Sequence, residues 1–174
     1  SMGPQSTSND EVVVTLPADR CKSGSIVFGN TRCVAMGRGL TRTSDPKSSR
    51  WQKGYHSNGT PCWFLKAGPE GYPSRGQGYV RGATPATTYR SGAIRHMGGD
   101  KRHWGQAGIR IHARTPNRAG FVIHSVVGYT GPETAEKQNG FGCVRIPQHC
   151  MTKFRKFVRE GKRKVNVNVK EVRT

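Results

Sequence analysis

Glycine and proline occur along the whole chain at a density that leaves little room for long helices. The 174 residues include 23 Gly and 10 Pro, and both residue types disfavour helix interiors. Apolar residues recur instead in short alternating runs, as in 108–112 and 165–169, which is the pattern of half-buried strands. We therefore expect one mainly β domain, and the composition argues against a helical bundle.

Turn signals separate the predicted strands. Val12–Leu16 is a first strand that ends at Pro17, and Gly29-Asn30 lies between two β-like runs and predicts a hairpin. By contrast, segment 37–62 is polar, basic and rich in Gly and Ser, so we expect a long loop there. Further strands are predicted at 84–90, 108–112, 121–124 and 165–169, with a Gly-rich loop over 127–141.

One helix is predicted, near the C-terminus. Apolar residues between Cys150 and Val158 recur at three-to-four spacing, and Gly161 is a natural stop. Residues 1–10 are polar and resemble a tag remnant with a disordered N-terminus, so the domain is expected to span 11–174. No apolar run is long enough to predict a membrane span.

The chain is strongly basic. It has 29 Lys and Arg against 10 Asp and Glu, for a formal net charge of +19. Taken alone, this charge indicates an anionic partner, nucleic acid first among them. The basic residues are scattered, although the last 24 residues hold nine Lys and Arg against two Glu. No known nucleic-acid-binding motif is present.

The chain has five cysteines, an odd number. In an exported protein this count predicts two disulfides and one thiol outside them. There is no Cys-x-x-Cys pair, so we expect no zinc site, and nothing in the sequence points to another metal or an organic cofactor. The cysteines are Cys21, Cys33, Cys62, Cys143 and Cys150.

Cys143 has the surroundings of a nucleophile. Gly142 precedes it, so the backbone N–H groups of Gly142 and Cys143 are candidate donors to an oxyanion. His124 ends a predicted strand and is a candidate base for the thiol, while Arg145 would help to hold the thiolate. His112 also ends an alternating strand; we rank it second, as a residue of the strand or of a substrate groove.

The segment His124-Ser125, followed after a loop by Gly142-Cys143-Val144-Arg145, resembles the signature of the L,D-transpeptidase family. Residues 82–89, with Thr84-Pro85, look like the turn-and-strand block of that family. The helix after the cysteine and the Val-rich last strand agree with its layout. The resemblance covers roughly residues 80–170.

This resemblance implies a β-sandwich or barrel with long loops and one C-terminal helix. It implies an exported bacterial enzyme, periplasmic or secreted, that acts on peptidoglycan stem peptides as an L,D-transpeptidase or L,D-carboxypeptidase. Anionic cell-wall polymers would be further partners. Cys143 would form a thioester, His124 would move protons, Ser125 would orient the imidazole, and Arg145 would bind a substrate carboxylate.

The chain departs from the family pattern at three positions. Gly140 and Phe141 stand where the family has Ser or Thr and His, and Thr87 replaces a glycine of the turn block. We expect Phe141 to affect substrate choice as a substrate-binding residue. His112 and Tyr89 are the remaining candidates for substrate contacts.

Two questions stay open in the sequence. The four cysteines other than Cys143 allow three pairings, of which one joins Cys21 to Cys33 across the hairpin and Cys62 to Cys150. The alternative functions are a basic nucleic-acid-binding protein or secreted ribonuclease, with His112 and His124 as an acid and base, and an inert wall-binding module.

Overall fold

A computed structural model describes residues 3–67, 82–96, 109–114, 120–137, 140, 142–160 and 165–173. Within these ranges the chain is mainly β, as predicted, with eleven strands and two helices. The strands are β1 (Glu11–Pro17), β2 (Gly24–Phe28), β3 (Thr31–Ala35), β4 (Thr41–Arg42), β5 (Trp51–Tyr55), β6 (Pro61–Leu65), β7 (Thr88–His96), β8 (Ile109–Arg114), β9 (Gly120–His124), β10 (Val144–Arg145) and β11 (Asn166–Val172), and the helices are α1 (Pro132–Glu136) and α2 (Gln148–Glu160).

Eight strands form the main sheet, in the order β10-β9-β8-β7-β11-β1-β2-β3. Neighbours are antiparallel except for the parallel pairs β1–β11 and β9–β10. Beyond the end of β3, Met36 exchanges two backbone hydrogen bonds with Arg145 of β10, at 2.9 and 3.0 Å. The two edge strands are therefore linked at one point, while the described strands do not form a closed barrel.

The predicted C-terminal helix is confirmed as α2, and its apolar side packs on the main sheet. Met151 and Phe154 are fully buried in the same cluster as Val12 and Val14 of β1. The rings of Phe28 and Phe154 meet edge to face, with centroids 4.9 Å apart, a favoured aromatic geometry. Burying a large apolar side chain completely stabilises the folded state by about 2 kcal/mol.

The predicted long loop over 37–62 is wrong, because this segment contributes to a second sheet of order β4-β6-β5. Most side chains of β5 are exposed, so the strand shows no alternation of apolar and polar residues. Cross-strand partners supply the stabilisation instead, as where Lys53 stands opposite Trp63. The strands are short and polar, and sequence periodicity does not detect them.

Two disulfides form, Cys21–Cys62 and Cys33–Cys150, and Cys143 is in neither of them. The prediction of two disulfides is confirmed, whereas the pairing of Cys21 with Cys33 and of Cys62 with Cys150 is wrong. In the β2–β3 hairpin the residue opposite Cys33 is Ile26, so Cys21 is not its cross-strand partner. One bridge ties the β1–β2 connection to the small sheet, and the other ties β3 to α2.

Parts of two segments predicted to be irregular have defined structure. Thr7 donates its backbone N–H to the carbonyl of Gly29 at 2.9 Å, and Gly29 donates back to the Thr7 hydroxyl at 2.8 Å. The described residues before β1 are thus attached to the β2–β3 hairpin. The Gly-rich loop predicted over 127–141 contains α1. No helix in the described ranges is long and apolar enough to span a membrane.

Candidate active site

Strands β9 and β10 bring the predicted nucleophile and base to one end of the sheet. They run parallel, with Ile123 opposite Val144 and His124 opposite Arg145. Ile123 and Val144 belong to the buried core. Because side chains alternate along a strand, His124 and Arg145 belong to the other face, and Cys143 lies immediately before β10 and beside that face.

The imidazole of His124 is oriented by the next residue. Its Nδ1 atom lies 2.9 Å from the backbone carbonyl oxygen of Ser125. A carbonyl oxygen only accepts hydrogen bonds, so in the neutral ring Nδ1 carries the proton and Nε2 is the basic nitrogen. His124 is 3% exposed, which restricts the ring further. In this tautomer Nε2 carries a lone pair and can accept a proton from a thiol.

Ser125 makes this contact through its backbone. Its side chain is fully buried, and its hydroxyl has no hydrogen-bond partner among the described residues. Ser125 is expected to orient the imidazole, and it has two groups that could do so, the backbone carbonyl and the hydroxyl. The geometry places the carbonyl against the imidazole.

A turn at Gly142 leads into Cys143. Gly142 has φ +93°, a left-handed conformation that favours glycine, and a Cβ at this position would lie 3.0 Å from the carbonyl oxygen of Gly82. Thr84 is fully buried and donates its hydroxyl to the carbonyl of Gly142 at 2.7 Å. The block that contains Thr84-Pro85 therefore holds the turn that presents the Cys143 sulfur.

Arg145 provides positive charge next to the thiol. Arg145 is 6% exposed, and burial lowers its pKa, whereas Tyr129 and Cys143 raise it. The attraction is mutual, so the guanidinium favours the thiolate form of Cys143. Cys143 itself is half-buried, which leaves part of the thiol accessible.

The backbone of Arg38 explains why residue 140 is glycine. A Cβ at Gly140 would overlap the backbone carbonyl oxygen of Arg38, and it would also lie 3.3 Å from the Nη2 atom of Arg145. The family pattern has Ser or Thr at this position. Here a side chain would crowd both arginines.

A second buried arginine supports this region. Arg38 is 1% exposed and donates to the backbone carbonyls of Cys21, Ala135 and Glu136 at 3.3, 3.3 and 2.8 Å. Burial, reinforced by the nearby Arg145 cation, lowers the pKa of Arg38 to about 10. Arg38 has no signal in the sequence, because nothing in its sequence context distinguishes it from the exposed basic residues.

Of three further predicted substrate contacts, Tyr89 is the one whose side chain the structure describes. Tyr89 is 2% exposed in the main core, and its hydroxyl donates to the carbonyl of Pro85 at 2.7 Å. Its expected role in substrate binding is therefore corrected to a role in packing. His112 stands opposite Val122 on β8, and its side chain lies outside the described residues, as does Phe141.

A separate cleft of about 910 Å³ lies between the small sheet and α1. Its lining includes the buried carboxylate of Glu136, which accepts hydrogen bonds from the backbone and hydroxyl of Ser57 at 2.7 and 2.8 Å. His56 also lines it. In the described part of the chain, no group of three or more His, Cys, Asp or Glu is placed to hold a metal ion.

Comparisons with protein-family models, curated proteins and solved structures find no match to this chain. The assignment of a function therefore depends on the residues around Cys143.

Proposed function

We propose that this protein is a cysteine acyl-transfer enzyme that acts on peptidoglycan stem peptides, as an L,D-transpeptidase or L,D-carboxypeptidase with the fold of that family. The observation that carries the proposal is the Nδ1 contact of His124 with the Ser125 carbonyl at 2.9 Å. It leaves Nε2 basic on the strand next to the Gly142-Cys143 turn. A base at the end of β9 and a thiol just before the parallel strand β10 are the elements of thiol acyl transfer.

In the first step, His124 Nε2 takes the proton from the Cys143 thiol. The thiolate attacks the carbonyl carbon of an L-centre residue that precedes a D-amino acid. The C–S bond forms as the carbonyl π electrons move to oxygen, and the backbone N–H groups of Gly142 and Cys143 stabilise this oxyanion. The C–N bond then breaks, and the imidazolium returns its proton to the leaving amine.

In the second step, the acyl group leaves the enzyme. An amine from another stem peptide, or water, attacks the thioester carbonyl, and His124 accepts the proton of the attacking group. The C–S bond breaks and regenerates the Cys143 thiolate. An amine acceptor gives a cross-link or an exchanged D-amino acid, and water gives a shortened stem peptide.

Arg145 serves this cycle by stabilising charge. Its guanidinium favours the thiolate before attack and again when the thioester is resolved. A planar guanidinium also suits a substrate carboxylate. The low exposure of Arg145, 6%, favours the first role over direct contact with a large substrate.

The proposed location is the periplasm or the exterior of a bacterial cell. The two disulfides are compatible with export. Peptidoglycan and its attached polymers are anionic, so the net charge of +19 would concentrate the enzyme on the wall, and salt would weaken this attraction.

Carbapenem acylation followed by intact mass spectrometry tests the proposal. We expect one adduct per chain, lost in Cys143→Ala and kept in a control, His149→Ala, which alters an exposed histidine of α2. Absence of an adduct in the wild-type protein would contradict the proposed enzymatic function. Salt-sensitive RNA or DNA binding would then support the nucleic-acid alternative, and binding to sacculi would support the inert module.

A further inference from the structure

The small sheet carries a surface of cations stacked on aromatic rings, here called the cation–aromatic face: Arg42, Trp51, Lys53, Tyr55 and Trp63. The register places Trp63 of β6 between Arg42 of β4 and Lys53 of β5. The Arg42 guanidinium lies 5.1 Å from the Trp51 ring centroid. The Lys53 ammonium lies 5.4 Å from the Tyr55 ring centroid and 5.3 Å from that of Trp63.

This face points to solvent. The opposite face of the small sheet carries Cys62 and Phe64, which are buried in a cluster with Cys21. Tyr55 is 44% exposed, and the Arg42 and Lys53 side chains are exposed. The disulfide and the small cluster therefore hold one side of the sheet against the domain, and the cations are presented on the other.

The charge of this region is unbalanced. Segment 37–67 has six Lys and Arg against a single acid, Asp45, and Asp45 pairs with Lys47 at 3.5 Å. Among the described residues, no carboxylate lies within ion-pair distance of Arg42 or Lys53. Both cations are held over rings and present their charge to an external anion.

We propose that the cation–aromatic face binds the carboxylate-bearing strands of peptidoglycan and holds the polymer while Cys143 acts on its stem peptides. This inference rests on the proposed function for the identity of the polymer. Carboxylates fit better than nucleic-acid bases, because bases stack on open ring faces. Here Arg42 and Lys53 already cover a face of each ring, and Trp51 and Trp63 are only half exposed.

The backbone connects this face to the active-site turn. Ala83 donates its N–H to the carbonyl of Leu65, the last residue of β6, at 3.1 Å. The adjacent Thr84 donates its hydroxyl to Gly142 at 2.7 Å. The small sheet is thus hydrogen-bonded to segment 83–84, and this segment supports the turn before Cys143. A polymer bound to the small sheet is therefore connected to the candidate active site through two hydrogen bonds.

Co-sedimentation of the full chain with protein-free sacculi tests the proposal. The variant Arg42→Gln/Lys53→Gln removes two charges from the face, and Lys153→Gln/Lys156→Gln removes two from exposed positions on α2 as a matched control. We expect the first variant to weaken binding about fivefold and the control to weaken it less than twofold, with unchanged melting temperatures.

Equal losses in the two variants would overturn the proposal, because binding would then depend on total charge alone. A loss confined to binding of a single-stranded oligonucleotide would also overturn it and would assign the face to nucleic acid. Carbapenem acylation of Cys143 is measured in parallel. Wild-type acylation could fail while sacculus binding still depends on Arg42 and Lys53. This result would contradict the proposed enzymatic function and would support the cation–aromatic face as a wall-binding surface.

Discussion

His124 donates from Nδ1 to the backbone carbonyl of its chain neighbour Ser125, at 2.9 Å. The orienting group of the proposed base is therefore supplied locally, by the peptide unit that follows β9. The strand ends where this contact forms, and the Ile146 N–H donates to the His124 carbonyl at 2.9 Å. The backbone of His124 is therefore paired with β10 and with Ile146, the residue that follows β10.

Replacing His124 tests its role as the base. We expect His124→Ala to slow carbapenem acylation of Cys143 at pH 7 by roughly 100-fold or more, because general-base catalysis is lost. His149→Ala should leave the rate unchanged. The measurement is the rate of adduct formation by intact mass. A wild-type rate in His124→Ala would transfer the role to another group, with His112 the next to test.

The Thr84 hydroxyl is predicted to support the turn at Gly142. Thr84→Val removes the hydroxyl that donates to the Gly142 carbonyl at 2.7 Å and leaves a buried acceptor without this donor, at a cost of about 1–3 kcal/mol. We expect a lower free energy of unfolding in urea and slower acylation of Cys143. Thr84→Ser keeps the hydroxyl and should retain most of both. A loss in Thr84→Ser that Thr84→Val does not share would contradict this role and would show that the methyl group matters instead.

Arg145 tests the electrostatic support of the thiolate. We expect Arg145→Met to slow alkylation of Cys143 by iodoacetamide at pH 7 roughly tenfold, because a nearby cation favours the charged nucleophile. Lys153→Met removes an exposed charge of α2 and should have little effect. If alkylation of the folded Arg145→Met protein kept the wild-type rate, the guanidinium would have no role at the sulfur.

Arg38 is predicted to stabilise the fold, and the pH dependence of its contribution can be stated. Arg38→Met removes the donors to three backbone carbonyls, and we expect a loss of about 3 kcal/mol in stability. The pKa of Arg38 is about 10 in the folded protein, against an ordinary value of 12.5. Arg38 is therefore charged in both the folded and the unfolded state at pH 6–9.

The stability difference between wild type and Arg38→Met should accordingly stay constant over pH 6–9. The cost of burying the cation is present throughout this range, and it is relieved only as the pH rises through about 10. Urea unfolding at pH 6, 7.5 and 9 measures this difference. A difference that changes steadily with pH would contradict the assignment of a charged Arg38.

The sequence predicts those parts of the fold in which periodicity coincides with burial. The Val-rich strands β1 and β11, the β2–β3 hairpin and helix α2 were all predicted, because their apolar residues face one core. The small sheet was not, since β5 is exposed along most of its length and depends on pairing with β6. Disulfide pairing depends on how the sheets meet, which local sequence does not encode.

Some residues of the candidate site can likewise be predicted from local sequence, and others cannot. Cys143, His124 and Gly142 could be selected from their local sequence, whereas the contact of Thr84 with Gly142 has no signal there. Arg38 could not, because it reaches the site through contacts with Cys21 and with α1, distant in sequence. For Tyr89 the sequence predicts a substrate contact, because an aromatic residue near a turn has no local signal that distinguishes a groove from the core.

Mass analysis of muropeptides tests the central claim most directly. Protein-free peptidoglycan is incubated with the wild-type chain and with Cys143→Ala, digested to muropeptides and weighed. We predict that the wild type alone converts tetrapeptide stems to tripeptides, exchanges their terminal D-residue or forms cross-links between the third residues of two stems. Muropeptides that stay unchanged with active, folded wild-type protein, or that change equally with Cys143→Ala, would contradict a thioester enzyme at Cys143.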